Sequence, residues 1–208
     1  MTNFIELKNV SLQFDGKQLF NDFSLSIGKG DKVLISGKSG AGKSSLVKML
    51  LGFRNYDSGT IQIIDKQLRS DDFSDFRHLY AYVNQDVTIR KGPIIEFLKA
   101  LESYKGNVFE YRGDYGLDES LMDLFDFDKN LINKNSEDLS GGERQRLGII
   151  IAIMLKRPVY LLDEVTSGLD KELKGIVVDY FSKCKETVIS ISHDEAWEIT
   201  GKFRKVVW

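Results

Sequence analysis

Lys32 to Leu51, KVLISGKSGAGKSSLVKMLL, is the stretch whose reading decides the architecture. Lys32-Val33-Leu34-Ile35-Ser36 is a short apolar burst and predicts a buried strand. Gly37 to Ser44 is a glycine loop, and Ser44 to Leu51 has helical spacing with Gly52 placed as a C-terminal cap. Strand, glycine loop, helix is the order a phosphate cradle needs. Glycines let successive N–H groups turn inward, and the helix adds its positive dipole end. GKSGAGKS fits G-x-x-x-x-G-K-[ST] at every fixed position. The residues expected against phosphate are Gly37, Ser39, Gly40, Ala41, Gly42, Lys43, Ser44 and Ser45. Lys43 would neutralise the β and γ phosphates, and the Ser44 hydroxyl would ligate Mg²⁺. A plain glycine turn with a surface lysine could share these letters, but it would have no reason to sit between strand and helix.

Working outward, a phosphate loop of this kind needs a carboxylate at the end of a neighbouring strand. Val159-Tyr160-Leu161-Leu162-Asp163-Glu164 supplies one: a fully apolar strand, as in a parallel sheet covered on both faces, closing on two acids. Asp163 would hold the metal's water shell, and Glu164 could take a proton from an attacking water. Thr187 to Ser192 predicts another such strand, and Lys205 to Trp208 a last one. Helices are expected over Gly141–Leu155, stopped by Arg157-Pro158, and over Lys171–Ser182. Towards the N-terminus, Phe4 to Phe14 and Leu19 to Ile27 alternate around the turn Asp15-Gly16-Lys17, which predicts antiparallel strands. Gly59 to Asp65 reads as a further strand and turn. The pattern then weakens, with helical stretches at Ile94–Tyr104 and Glu119–Phe127.

The expected class is therefore α/β: a P-loop NTPase with a mainly parallel core sheet, an N-terminal antiparallel β subdomain and an inserted helical lobe. The chain is divided as one domain over 1–208, with its core at about 1–85 and 156–208 and the lobe at about 86–155. Bulk composition agrees with one such domain. The 208 residues carry a net charge of -2 with no long basic run, which argues against nucleic acid as a partner. One cysteine, Cys184, excludes an internal disulfide and a multi-thiolate metal site, and fits a reducing cytoplasm. No signal peptide is expected at the start. The apolar run Leu147–Leu155 falls well short of the roughly 20 residues of a membrane span, so any membrane role is expected to go through a partner.

Residues 139 to 146 read LSGGERQR. Ser140 and Glu143 form a capping box at a helix start, which would be an adequate explanation of those two residues alone. Gly141 and Gly142 are different: they cost helix stability and leave N–H groups open to an outside anion. This resembles the signature motif of ATP-binding cassette proteins. Other landmarks of that family fall in order around it. Gln85, in Tyr82-Val83-Asn84-Gln85-Asp86, resembles the Q-loop glutamine that touches Mg²⁺. Ser167-Gly168-Leu169-Asp170 resembles the D-loop, and His193 resembles the switch histidine at the γ-phosphate. Phe14 falls where the family stacks an aromatic on adenine.

The resemblance implies an Mg-ATP hydrolase with Glu164, Lys43, His193 and Gln85 as its catalytic residues. ATP would lie on Phe14 and the P-loop, with Ser140, Gly141 and Gly142 reaching a partner's ATP across a homodimer. Ser44, Gln85 and Asp163 would serve the metal. It further implies the energy-coupling subunit of a membrane transporter, at the inner face of the membrane through a permease subunit on a separate chain. The run Asn84 to Phe97 is similar to exporter-type cassettes. The alternative is a soluble cassette of translation, iron–sulfur assembly or DNA maintenance. The distance from the P-loop to Ser140 is too short for the coiled-coil arms of the last of these, and a chain with one cassette differs from the paired translation factors. An intact Glu164 and Gln85 disfavour a nucleotide sensor without hydrolysis.

Overall fold

Two strands of alternating burial, β1 (Ile5–Phe14) and β2 (Lys17–Ile27), fold back on each other through Asp15 and Gly16. Both turn residues have positive φ, 49° and 73°, the two-residue type I′ geometry that Asp-Gly favours. The computed structural model describes residues 4–38, 40–64, 66–68, 76–104, 107, 109, 113–114 and 116–207. Ser39, Asp65 and Trp208, each given a place in the reading above, lie outside the described residues. β4 (Ser58–Ile63) pairs antiparallel with β1, and the short β5 (Lys66–Gln67) with β4, giving a sheet of order β2-β1-β4-β5.

The second sheet is wholly parallel. Its strands are β3 (Lys32–Ser36), β6 (Tyr80–Val83), β7 (Val159–Asp163), β8 (Thr187–Ile191) and β9 (Arg204–Val207), in the order β6-β7-β8-β3-β9. Period-two alternation splits each inner strand between two cores. Val33, Ile35, Val159 and Leu161 join the cluster under the antiparallel sheet, while Leu34, Tyr160 and Leu162 join the cluster under the helical side. A strand apolar at every position is what a sheet with a core on each face requires.

Among the described residues the helices include α1 (Lys43–Leu50), α2 (Ile94–Ser103), α3 (Glu119–Leu124), α4 (Gly141–Met154), α5 (Lys171–Lys183) and α6 (Ala196–Ile199). α1 ends as Gly52 predicts. Gly52 takes φ 71°, its N–H donates to the Met49 carbonyl at 3.0 Å, and the Phe53 N–H reaches the Lys48 carbonyl at 2.7 Å. These are the paired bonds of a Schellman cap. α4 closes on Lys156 with φ 50° rather than on Pro158. α3 stops three residues short of the expected Phe127, where Asp126 turns at φ 50°. Short 3-10 turns lie at Lys129–Asn133 and Ser136–Asp138. Among the described residues no helix is long and apolar enough to cross a membrane.

Parallel strands place all their C-terminal ends on one edge of the sheet. The loop after β3, the acids at the end of β7, His193 after β8 and Gln85 after β6 therefore share that edge, where α/β sheets bind their ligands.

Candidate active site

A cleft of about 620 Å³ opens on that edge, lined among others by Phe14, Gly40, Gly42, Lys43, Ser44, Ser45, Gln85, Asp163, Glu164 and His193. One cleft thus collects residues from both sheets. Ser140, Gly141 and Gly142 are not among its lining residues, so the helix start that the sequence marked for phosphate lies outside the chain's own cleft.

Lys43 is the cleft's best-anchored cation. Only 8% exposed, it donates through Nζ to the Gly37 carbonyl at 2.5 Å and the Lys38 carbonyl at 3.1 Å, and lies 3.0 Å from His193 Nε2. Since an ammonium can only donate, Nε2 is the acceptor there and the ring proton sits on Nδ1. Glu164 Oε1 lies 3.8 Å from the same Nε2 and could pair with it only if the nitrogen were protonated. The lysine contact is the shorter, and it holds the ring over the loop.

The loop itself is tightly turned. Gly42 has φ 102°, a backbone that favours glycine, and a Cβ there would press within 3.3 Å of Leu19 and 3.4 Å of the Phe20 ring. Lys17 Nζ ties down the Gly40 carbonyl at 3.0 Å. The Ala41 N–H turns inward and donates to the Lys38 carbonyl at 3.2 Å. The first-turn amides of Lys43 and Ser44 have no intrahelical acceptor, which leaves them for an anion.

Asp163 and Glu164 differ although adjacent. Burial, reinforced by the Glu164 charge, pushes the Asp163 carboxyl above the ordinary carboxylate range, and Lys43 pulls against the shift. Burial and the neighbouring Asp163 push the Tyr82 hydroxyl up to about 12. Glu164 adopts φ 52°, a left-handed backbone uncommon outside glycine, and is pinned by its N–H to the Ile191 carbonyl at 2.9 Å. That bond locks the acid to the end of β8, beside His193.

Gln85 stands exposed at the mouth of a turn held by Asn84 Nδ2 on the Asp86 carbonyl at 2.7 Å. The turn packs on α4, where a Cβ at Gly148 would sit 3.0 Å from both Val87 methyls. Ser44, Asp163 and Gln85 all line the cleft and bring it oxygen donors and an amide, a set that fits a hard divalent cation such as Mg²⁺. Two cationic residues that no motif pointed to, Lys48 and Arg54, also line the cleft. Lys48 follows Lys43 on the same helix and was open to reading. Arg54 carried no local signal.

The capping box at α4 is complete: the Ser140 N–H donates to Glu143 at 2.6 Å and the Glu143 N–H to Ser140 Oγ at 3.2 Å. A Cβ at Gly141 would meet nothing within 4 Å, and one at Gly142 only the Gly168 carbonyl at 3.9 Å. No packing inside the chain asks for glycine at either place.

A family model described as ABC transporter matches residues 20–167. The ergothioneine transport ATP-binding protein EgtV of Helicobacter pylori (strain G27) is 33% identical over 211 residues, with 94% of this chain and 92% of EgtV covered. The ATP-dependent lipid A-core flippase of Haemophilus influenzae (strain ATCC 51907 / DSM 11121 / KW20 / Rd) is 32% identical, with 91% of this chain but 33% of the flippase covered. The chain thus spans nearly all of one curated relative and about a third of others. Among solved structures, a bacterial Atm1-family ABC exporter with ATP bound shares the fold at a TM-score of 0.77 and 22% identity, covering 98% of this chain and 36% of its own. A dimeric ATP-binding cassette in a post-hydrolysis state bound to ADP and Pi does so at 0.72 and 23%, covering 91% and 88%. A model match across residues 20–167 and 33% identity to a protein covered over nearly its whole length lead to one conclusion: the chain belongs to the ABC transporter family, as an ATP-binding and ATP-hydrolysing domain.

Proposed function

We propose that this chain is the energy-coupling ATPase subunit of a transporter whose membrane spans lie on a separate permease chain, and that two copies sandwich two ATP molecules. The observation that carries the sandwich is the pair Gly141 and Gly142. Each costs the first turn of α4 about 1 kcal/mol against alanine, yet neither is crowded within the chain. An exposed helix start kept bare at that expense, and outside the chain's own cleft, fits a phosphate brought by a second copy. We keep the division into a core and a helical lobe at about 86–155.

In this reading the P-loop amides and Lys43 grip the β and γ phosphates, and Phe14 stacks on the adenine. Water attacks the γ phosphorus, Glu164 takes the proton that the water loses, and ADP departs with the electrons of the broken bridging bond. His193 holds Lys43 and the loop in register during the transfer, and the partner's helix start stabilises charge on the phosphoryl oxygens. Mg²⁺, held by Ser44 and Asp163 with Gln85 beside it, would neutralise charge on the phosphates when bound. Likeness to a protein named a flippase supports export as the direction, and a permease partner would hold the chain at the cytoplasmic face of the membrane.

The groove beside Gln85, bordered by Val87, Lys91, Glu137 and Arg144, is where a short helix of the permease would dock. Affinity purification from detergent-solubilised membranes should recover a multi-span protein with wild type, and lose it with Arg90→Glu combined with Lys91→Glu. Both cations are exposed beside the groove. Recovery of ribosomes or assembly factors, with no membrane protein, would transfer the chain to the soluble cassettes.

A further inference from the structure

Phe14 is 46% exposed at the cleft, yet its ring is not free. The Arg54 guanidinium lies over it at 3.9 Å from the ring centroid. A second contact fixes the guanidinium there: Arg54 Nη1 donates to Ser45 Oγ at 2.9 Å, and Ser45 belongs to the first turn of α1, beside the phosphate loop. Both Phe14 and Arg54 line the cleft, so the guanidinium covers ring surface that a base entering the cleft would need. A planar cation on an aromatic face has the shape and stacking preference of a base.

We infer that Arg54 is an internal ligand of the base subsite. It fills the stacking place on Phe14 and must leave when a base takes that place, so it lowers the share of affinity that comes from the base. The inference rests on the reading that the base of ATP stacks on Phe14. Binding is then an exchange of one stacked group for another, and the cost of lifting Arg54 falls on nucleotides but not on a bare phosphate chain. Arg54 also brings positive charge to the cleft, which favours both kinds of ligand alike. The quantity that isolates the exchange is therefore the ratio of two affinities.

Titration calorimetry of the full chain with Mg-ATP and with Mg-tripolyphosphate gives that ratio. Relative to wild type, Arg54→Ala should raise the preference for ATP over tripolyphosphate by about threefold or more. Arg54→Lys, which keeps the stem and charge but loses the flat guanidinium, should raise it less, and carries the test if the alanine variant does not fold. In a Phe14→Ala background the gain from Arg54→Ala should vanish. An unchanged preference, or a gain that survives without Phe14, overturns the inference; a lowered preference overturns it too, by showing that Arg54 grips the base. A wild type that binds ATP no better than tripolyphosphate removes base stacking on Phe14 and the inference with it. A wild type that binds neither fails earlier, at the nucleotide site itself.

Discussion

Lys43 has three donors, and all three have acceptors within the protein: two loop carbonyls and one imidazole nitrogen. In the proposed site phosphate must therefore compete with His193 or a carbonyl, so the lysine would be both a ligand and a brace for its own loop. Lys43→Ala removes both roles. ATPase turnover should fall by about 100-fold or more, with weaker nucleotide binding, measured by phosphate release and by calorimetry. Wild-type turnover in that variant would defeat the assignment of the cleft. At this scale the sequence spoke where chemistry is written in adjacent letters: the loop from Gly37 to Ser44, the acids at 163 and 164, the histidine after a strand. Arg54 was silent because its meaning lies in Phe14 and Ser45, one distant in the chain and both reached only through folding. The inward turn of the Ala41 amide was equally invisible, since any residue type at that position offers the same N–H.

Among the elements, helix ends were the most legible, because capping chemistry is local. Gly52 and the pair Ser140 and Glu143 do what their spacing implied. β6 was missed, being four residues long with Tyr82 exposed, and only its pairing with β7 makes it a strand. Two glycines in regular elements show how opposite their duties are. Gly59 in β4 has φ 93°, and a Cβ there would lie 2.4 Å from the Asn9 carbonyl oxygen of β1. Gly59→Ala should cost roughly 3 kcal/mol, from strained backbone and forced separation of the strands. Gly175 lies inside α5 with nothing within 4 Å of a Cβ and no positive φ, so Gly175→Ala should stabilise by about 0.5–1 kcal/mol. Urea unfolding midpoints of the two variants should move in opposite directions, and a shared direction would contradict the packing described for β1 and β4.

For the whole molecule, the test is whether one chain suffices for its own chemistry. Glu164→Gln keeps the shape of the side chain and cannot take a proton. With Mg-ATP the variant should bind nucleotide without turning it over, and light scattering after size exclusion should find twice the mass of one chain. A variant that stays monomeric with ATP bound would count against a sandwich of two copies. The sheet order carries a consequence for how such a molecule is made. β3, which bears the phosphate loop and is among the earliest elements, is flanked on both sides by strands from residues 187–207, β8 and β9. During synthesis on the ribosome the loop is thus exposed early, on a strand with two unpaired edges and an apolar sequence, and can take no phosphate in its finished shape until those late strands emerge. The same long wait invites association of unfinished chains. Nascent chains stalled before β8 should be the ones that call on chaperones, and ATP should begin to protect the chain from proteases only once β9 has docked.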